Sequence, residues 1–294
     1  MPPRPDSLPP LHSPPQLPTS GSGPIAGPIA GPVQPAAFAQ DWLTPSNDRD
    51  WIPEHKLLAR AELQGDALTV RNVRNCEFYS YRDCLVDHYD KTYRLSELRS
   101  VDFLVVPFNE NRALAHTMLS FGFEGGDYLG VSVEVRLENG EAYHPATGLL
   151  GQFEIIYVVA DERDLIRVRT EHRLCDVFAY RSKASPQQAQ RLLLDMLDRV
   201  NKLHDEPEFY DTLSNNCTTN IVRHINNLVP NRVPYDYRVL LPGFADSLAY
   251  ELGLIDTSAP FEEVKRRSRI NDLALRYKDS PRFSADIRGE TVRR

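Results

Sequence analysis

The sequence predicts an α+β domain, an antiparallel β-sheet packed against helices, behind a disordered Pro-rich N-terminal tail. Three observations carry that expectation. Between about residues 66 and 181, apolar residues recur in short runs of strand length, several with period two, bounded by Gly, Asn, Asp and Pro. From Ser185 onward the period becomes helical. Residues 1–40 show neither period and hold a large share of the chain's 23 prolines, including the tandem "GPIAGPIAGPV". Strands first and helices after them is the order of an α+β domain.

The tail, 1–40, cannot bury enough apolar surface to offset its ordering entropy, so it is expected to be disordered. The remainder, 41–294, is expected to fold as one domain, helical from about 185. "DALTVRNVRNCEFYSY" follows a "QGD" turn and is strand material. "SVDFLVVPF" (100–108) is an apolar run of buried-strand length. "AHTMLSFGF" (115–123) alternates, with Leu119, Phe121 and Phe123 on one face and His116, Met118 and Ser120 on the other. Residues 128–145 give two strands around "ENGE", where Asn-Gly signals a hairpin. Segments 153–160, 164–170 and 175–181 extend the meander. Ser185 then caps a helix with Pro186 at its first position and Gln188 closing a capping box. The Cys217 segment is the next helix. Residues 243–253 form a third, ended by Gly253, and 260–277 a charged amphipathic helix or a broken pair.

Composition narrows the function. At 294 residues and 41% hydrophobic, the chain can build a sizeable core. Its formal charge of -7 argues against nucleic acid as a partner and leaves no polybasic membrane patch. The cysteines (Cys76, Cys84, Cys175 and Cys217) form no CxxC pair, so neither a structural zinc site nor a disulfide framework is expected. No run approaches the roughly 20 apolar residues of a membrane span. The first 40 residues do not read as a charged region followed by an apolar leader core.

"LSNNCTTNIVRHINNL" (213–228) holds the sharpest candidate. Cys217 opens a helix whose Ile221, Ile225 and Leu228 lie on the thiol's side. The positive end of the helix dipole favours a thiolate there. Asn215 and Asn216 are capping residues, and with Thr218 they are candidates for positioning or for contact with an oxyanion. An inert buried Cys would account for the thiol but not for so polar a helix start. His116 is the best base candidate, on a strand whose opposite face is apolar. In "GVSVEVRLE", Ser132, Glu134 and Arg136 share a face. If that strand pairs with the His116 strand, Glu134 reaches the imidazole and orients it. His144 in "EAYHP" is a further polar candidate; Glu141 and Tyr143 are weaker ones. A metal site of His116, His144 and Cys217 is not expected, because no pair has the short local spacing of zinc ligands.

Taken together, "LAHTMLSFGF", "SVEVRLENGEAYHP", "FEIIYVVADERDLI", "PEFYDTLSNNCTTNI" and "RVLLPGFADSLAYELGLID" resemble the Lnb N-terminal periplasmic domain family over roughly residues 50–288. The resemblance implies a circularly permuted papain-like fold, in which the His strand precedes the Cys helix, as in NlpC and lecithin-retinol acyltransferase-like proteins. It implies Cys217 as nucleophile and His116 as base, and leaves the third group unassigned. The activity implied is acyl transfer through a thioester on Cys217 to an amine acceptor, with a phospholipid or lipoprotein as acyl donor and no cofactor. It would take place at the periplasmic side of a bacterial cell envelope, in association with a membrane surface. A papain-like amidase or peptidase acting on a cell-wall or peptide amide, and a non-catalytic binding module, are the alternatives.

Overall fold

The computed structural model describes residues 44–109, 111–142 and 152–289. The Pro-rich tail, Tyr143 and His144 lie outside the described residues. The strands are β1 Arg60–Gln64, β2 Ala67–Arg74, β3 Glu77–Phe78, β4 Cys84–Leu85, β5 His88–Arg94, β6 Leu98–Pro107, β7 Ala115–Phe123, β8 Tyr128–Arg136, β9 Glu154–Asp161 and β10 Phe178–Arg181. The helices are α1 Glu162–Arg167, α2 Pro186–Asp205, α3 Cys217–Leu228, α4 Tyr237–Leu240, α5 Ala245–Glu251, α6 Phe261–Ser268, α7 Asn271–Arg276 and α8 Phe283–Asp286. The chain is thus an α+β protein.

An eight-stranded sheet runs in the order β1-β2-β9-β8-β7-β6-β10, with β5 also paired to β2. The expected antiparallel meander is its centre, β6 to β9. The sheet as a whole is mixed, because β2 joins β9 in parallel through Arg74 and Ala160. Glu141, which ends "ENGE", and Ala142 are not in a strand. Glu141 instead closes the turn, its carboxylate accepting the Glu138 amide at 2.9 Å.

Helices cover both faces. On one, α2 and α3 pack Leu193, Met196, Leu197 and Ile221 against Leu119, Phe121, Val131 and Tyr157. On the other, α1, α7 and α8 pack Leu165, Ala274 and Phe283 against Leu104, Met118, Ile156 and Val158. Each such aliphatic or aromatic side chain stabilises the fold by roughly 1.5–3 kcal/mol. Met118 and Leu119 therefore serve opposite layers, as alternation along β7 requires. The α2 cap forms as the sequence implies: Ser185 Oγ accepts from the Gln188 amide, and Gln188 Oε1 accepts from the Ser185 amide. Gly253, at φ +63°, follows α5 in the left-handed conformation that favours glycine. Segment 260–277 is the broken pair, α6 and α7.

One expected strand is wrong. Residues 164–170 form the end of α1 and a wide turn, closed by an i→i+5 bond from the Arg173 amide to the Val168 carbonyl at 2.9 Å. Ile-Arg-Val-Arg mimics strand alternation. Asp161, however, caps the helix through the Arg163 amide at 2.9 Å. Arg167 reaches Glu171 one turn on, and buried Arg169 bonds back to the Leu165 carbonyl at 2.7 Å. A buried arginine broke the pattern, because a charge sits where the helix faces the protein interior.

Candidate active site

The β7–β8 ladder runs from Gly122↔Tyr128 to Met118↔Ser132 and stops there, although both strands continue. His116 on β7 and Glu134 on β8 lie just beyond the last pair. Side chains replace the ladder at this end. Ser132 Oγ donates to Glu134 Oε1 at 2.6 Å and meets His116 Nε2 at 2.7 Å. A hydroxyl has one proton, and Glu134 takes it, so Nε2–H of His116 is the donor to Ser132. That assignment leaves Nδ1 as the nitrogen free to act as base. The Glu134 carboxylate also lies 3.6 Å from Nε2 and receives Arg169 Nη2 at 2.9 Å.

The start of α3 completes the cluster. Cys217 is its first residue and is 6% exposed. Its sulfur lies 3.8 Å from the Thr218 hydroxyl, and His116 and Thr117 are its main electrostatic neighbours. Burial pushes the thiol pKa up, but His116 and Thr117 outweigh it and hold the pKa at about 7. Burial likewise disfavours the imidazolium, yet the Cys217 and Glu134 contacts raise His116 above its ordinary 6.5. Glu134 is kept well below the usual carboxylate range, despite its burial, by His116 and Arg169. The shifts all favour a thiolate–imidazolium pair backed by a carboxylate.

The Asn pair shapes the start of α3. Asn216 is the N-cap: its Oδ1 accepts the Thr219 amide at 2.9 Å, and Thr219 Oγ1 accepts the Asn216 amide at 2.9 Å. One N–H of its Nδ2 goes to the Thr212 carbonyl at 2.6 Å, and the residue lines the cleft beside Cys217. Asn215 donates to the Phe209 carbonyl at 2.8 Å and accepts from Asn220 at 3.0 Å. Both side chains shape the loop before α3. The backbone amides of Cys217 and Thr218, which as the first two of the helix have no intrahelical acceptor, are further donors at this helix start. The Thr218 hydroxyl lies 3.8 Å from the Cys217 sulfur and 3.0 Å from Thr117 Oγ1, and the residue also lines a second, apolar cavity of about 230 Å³.

Cys217, His116 and Glu134 open onto a cleft of about 240 Å³, walled by Val106, Phe108, Leu114, Tyr210, Leu240 and Pro242, with Tyr81, Arg169 and Arg173 also on its surface. Pro242 is held there because Gly243 passes so close to the 112–113 backbone that a Cβ would meet the Arg112 carbonyl at 1.9 Å. Ser132, Thr117 and Arg169 were missed as site residues. Ser132 was legible, two positions before Glu134 on one strand face. Arg169 was hidden by the misread turn.

His224 does not join the site. Its Nδ1 meets Asp195 at 2.6 Å and its Nε2 meets Tyr157 at 2.9 Å, under the middle of α3. No cluster of His, Cys, Asp or Glu able to hold a metal ion is found among the described residues.

Residues 86–243, more than half of the chain, match the family described as the Lnb N-terminal periplasmic domain. No curated protein and no solved structure matches. The chain belongs to the Lnb N-terminal periplasmic domain family.

Proposed function

We propose that this member of the Lnb N-terminal periplasmic domain family is a thiol acyltransferase with Cys217 as nucleophile, His116 as base and Glu134 as the orienting carboxylate. One observation carries the reading: a buried thiol at a helix start shares a cleft with an imidazole whose Nε2 is tied through Ser132 to a carboxylate. His116 before Cys217, on strand and helix respectively, is the order of a circularly permuted papain-like fold, to which we assign the domain.

In the first step the Cys217 thiolate attacks the acyl carbonyl. A C–S bond forms while the amides at the start of α3 face the developing oxyanion. The donor's C–O bond then breaks, and its leaving oxygen takes the proton from the His116 imidazolium. In the second step an amine attacks the thioester: a C–N bond forms, the C–S bond breaks, and the amine's proton passes through His116 back to sulfur. The apolar walls of the cleft suit an acyl chain and limit water, which favours transfer over hydrolysis. We take a phospholipid or lipoprotein as donor because the walls of the cleft are apolar, and the periplasmic side of a bacterial envelope as the place because the family is described as a periplasmic domain. Among the described residues no helix is long and apolar enough to cross a membrane; we place the reaction at a membrane surface.

Mass spectrometry of the full chain after incubation with phospholipid vesicles or with a diacylated lipopeptide tests the proposal. A hydroxylamine-labile acyl mass on the Cys217 peptide is expected, and it should be lost in His116→Ala. If neither donor leaves such a mass and iodoacetamide labels Cys217 no faster than Cys175, the domain is a non-catalytic module.

A further inference from the structure

We infer that the Cys217 cleft contains a site for an oxyanion carried by the acyl donor, and that Arg173 binds it; the inference rests on the thiol reading above. The wide turn after α1 delivers Arg169 and Arg173 to the same cleft. Arg169 is committed to Glu134 at 2.9 Å. Arg173 is not committed to any carboxylate among the described residues. Its backbone is fixed, the amide donating to Val168 and the carbonyl accepting from Cys175 Sγ at 3.5 Å. Its guanidinium lies over the Tyr81 ring at 5.3 Å, and its Nε is buried with no hydrogen-bond partner.

Arg173 is half-buried, and arginines buried more deeply are treated differently. Arg74 is paired with Asp164, Arg288 with Asp102 and Glu162, and Arg136 is bonded to Asn47 and the His55 and Lys56 carbonyls. A buried donor left without a partner costs about 1–3 kcal/mol, more when the group is charged. The charges of the cleft also fail to cancel without Arg173's partner. Glu134 offsets Arg169, and the Cys217 thiolate offsets the His116 imidazolium, so one positive charge is left. Tyr81 compensates it in part through its π face. A phosphate or carboxylate oxygen pair would complete it, since the guanidinium fork matches both. An anionic group there would sit in the cleft that also holds the thiol, which makes Arg173 a binding residue that selects which ester reaches Cys217.

Two alkylating agents of similar size test this without knowledge of the substrate. Iodoacetate carries the carboxylate, and iodoacetamide does not. The rate ratio at Cys217, iodoacetate over iodoacetamide, is measured by peptide mass spectrometry and normalised to a free thiol. It is expected to exceed unity in the native chain, to fall roughly three- to tenfold in Arg173→Gln, the size of one partly screened charge contact, and to recover in part in Arg173→Lys. A variant that merely loosens the site changes both rates together and leaves the ratio in place. Protection of Cys217 from iodoacetamide by inorganic phosphate but not acetate assigns a phosphoester donor; the reverse assigns a carboxylate. An equal ratio in native and Arg173→Gln chains, with protection by neither anion, overturns the site. Failure of iodoacetamide itself to prefer Cys217 over Cys175 would instead overturn the thiol reading.

Discussion

Replacing His116 with Ala isolates what the imidazole does to the thiol. In the native chain the Cys217 pKa is held at about 7. The largest influence on it is burial, which pushes upward; His116 is the largest influence pulling down. Without the imidazole, burial dominates, and the thiol titrates at or above its ordinary value of 9.0. At pH 7 the thiolate fraction then falls from about one half to about 1%, roughly 50-fold for a shift of about two units. The reaction rate falls less. A more basic thiolate is a better nucleophile, with a Brønsted slope of about 0.4–0.5, which returns roughly six- to tenfold. The net loss in alkylation at pH 7 is therefore about five- to eightfold, and the variant draws level or overtakes near pH 9. The sharper readout is the midpoint. Iodoacetamide labelling of the Cys217 peptide between pH 5 and 10 should rise through a midpoint near 7 in the native chain and near or above 9 in His116→Ala. Coincident midpoints in the two chains would refute the coupling and with it the catalytic reading.

Glu134→Gln should lower stability by about 3–5 kcal/mol, because Arg169, 4% exposed, loses the one carboxylate it is paired with among the described residues. The pH dependence carries the sign. The Glu134 pKa is depressed in the folded state, so its contribution is present above its ordinary 4.5 and is lost as pH falls through the depressed value. Urea midpoints should thus decline on acidification in the native chain and decline less in the variant. Asn216→Ala should cost about 1–2 kcal/mol in urea unfolding, through loss of the α3 cap and of the bond to the Thr212 carbonyl. Gly243→Ala should lower the melting temperature and disturb the Pro242 wall of the cleft, since backbone rather than a flexible side chain would have to yield to the new Cβ. A native-like melting curve for that variant would show that the 112–113 segment can move aside.

The sequence made legible what local pattern controls. β7 was found to the residue, because Leu119, Phe121 and Phe123 against His116, Met118 and Ser120 reflects two layers that the sheet does separate. The α2 cap followed from Ser185, Pro186 and Gln188 alone. Failures fell where a residue's partner is distant. β5 was not seen, because its pattern of Lys, Asp and Thr is that of an edge strand with half its side chains in water. Segment 164–170 was misread because Arg169 is buried by Glu134, on a strand far from it in sequence. Ser132 shares a strand face with Glu134 in the sequence, but its place between His116 and Glu134 depends on how β7 and β8 pair.

The polarity around Cys217 also serves the fold. The Asn side chains are bonded to Phe209, Thr212, Thr219 and Asn220. Asn220, fully buried, ties them to Tyr157 Oη at 3.0 Å and so to β9. This network fixes where α3 begins. Where α3 begins decides whether Cys217 meets His116 across the end of the β7–β8 ladder, and whether two unpaired backbone amides sit beside the sulfur. A shift of one residue in the cap would carry the thiol about 100° around the helix, away from the imidazole. The Asn residues thus bear on reactivity by placing the helix. Their loss should appear first as lost stability and a raised Cys217 titration midpoint, before any change in which ester the cleft accepts.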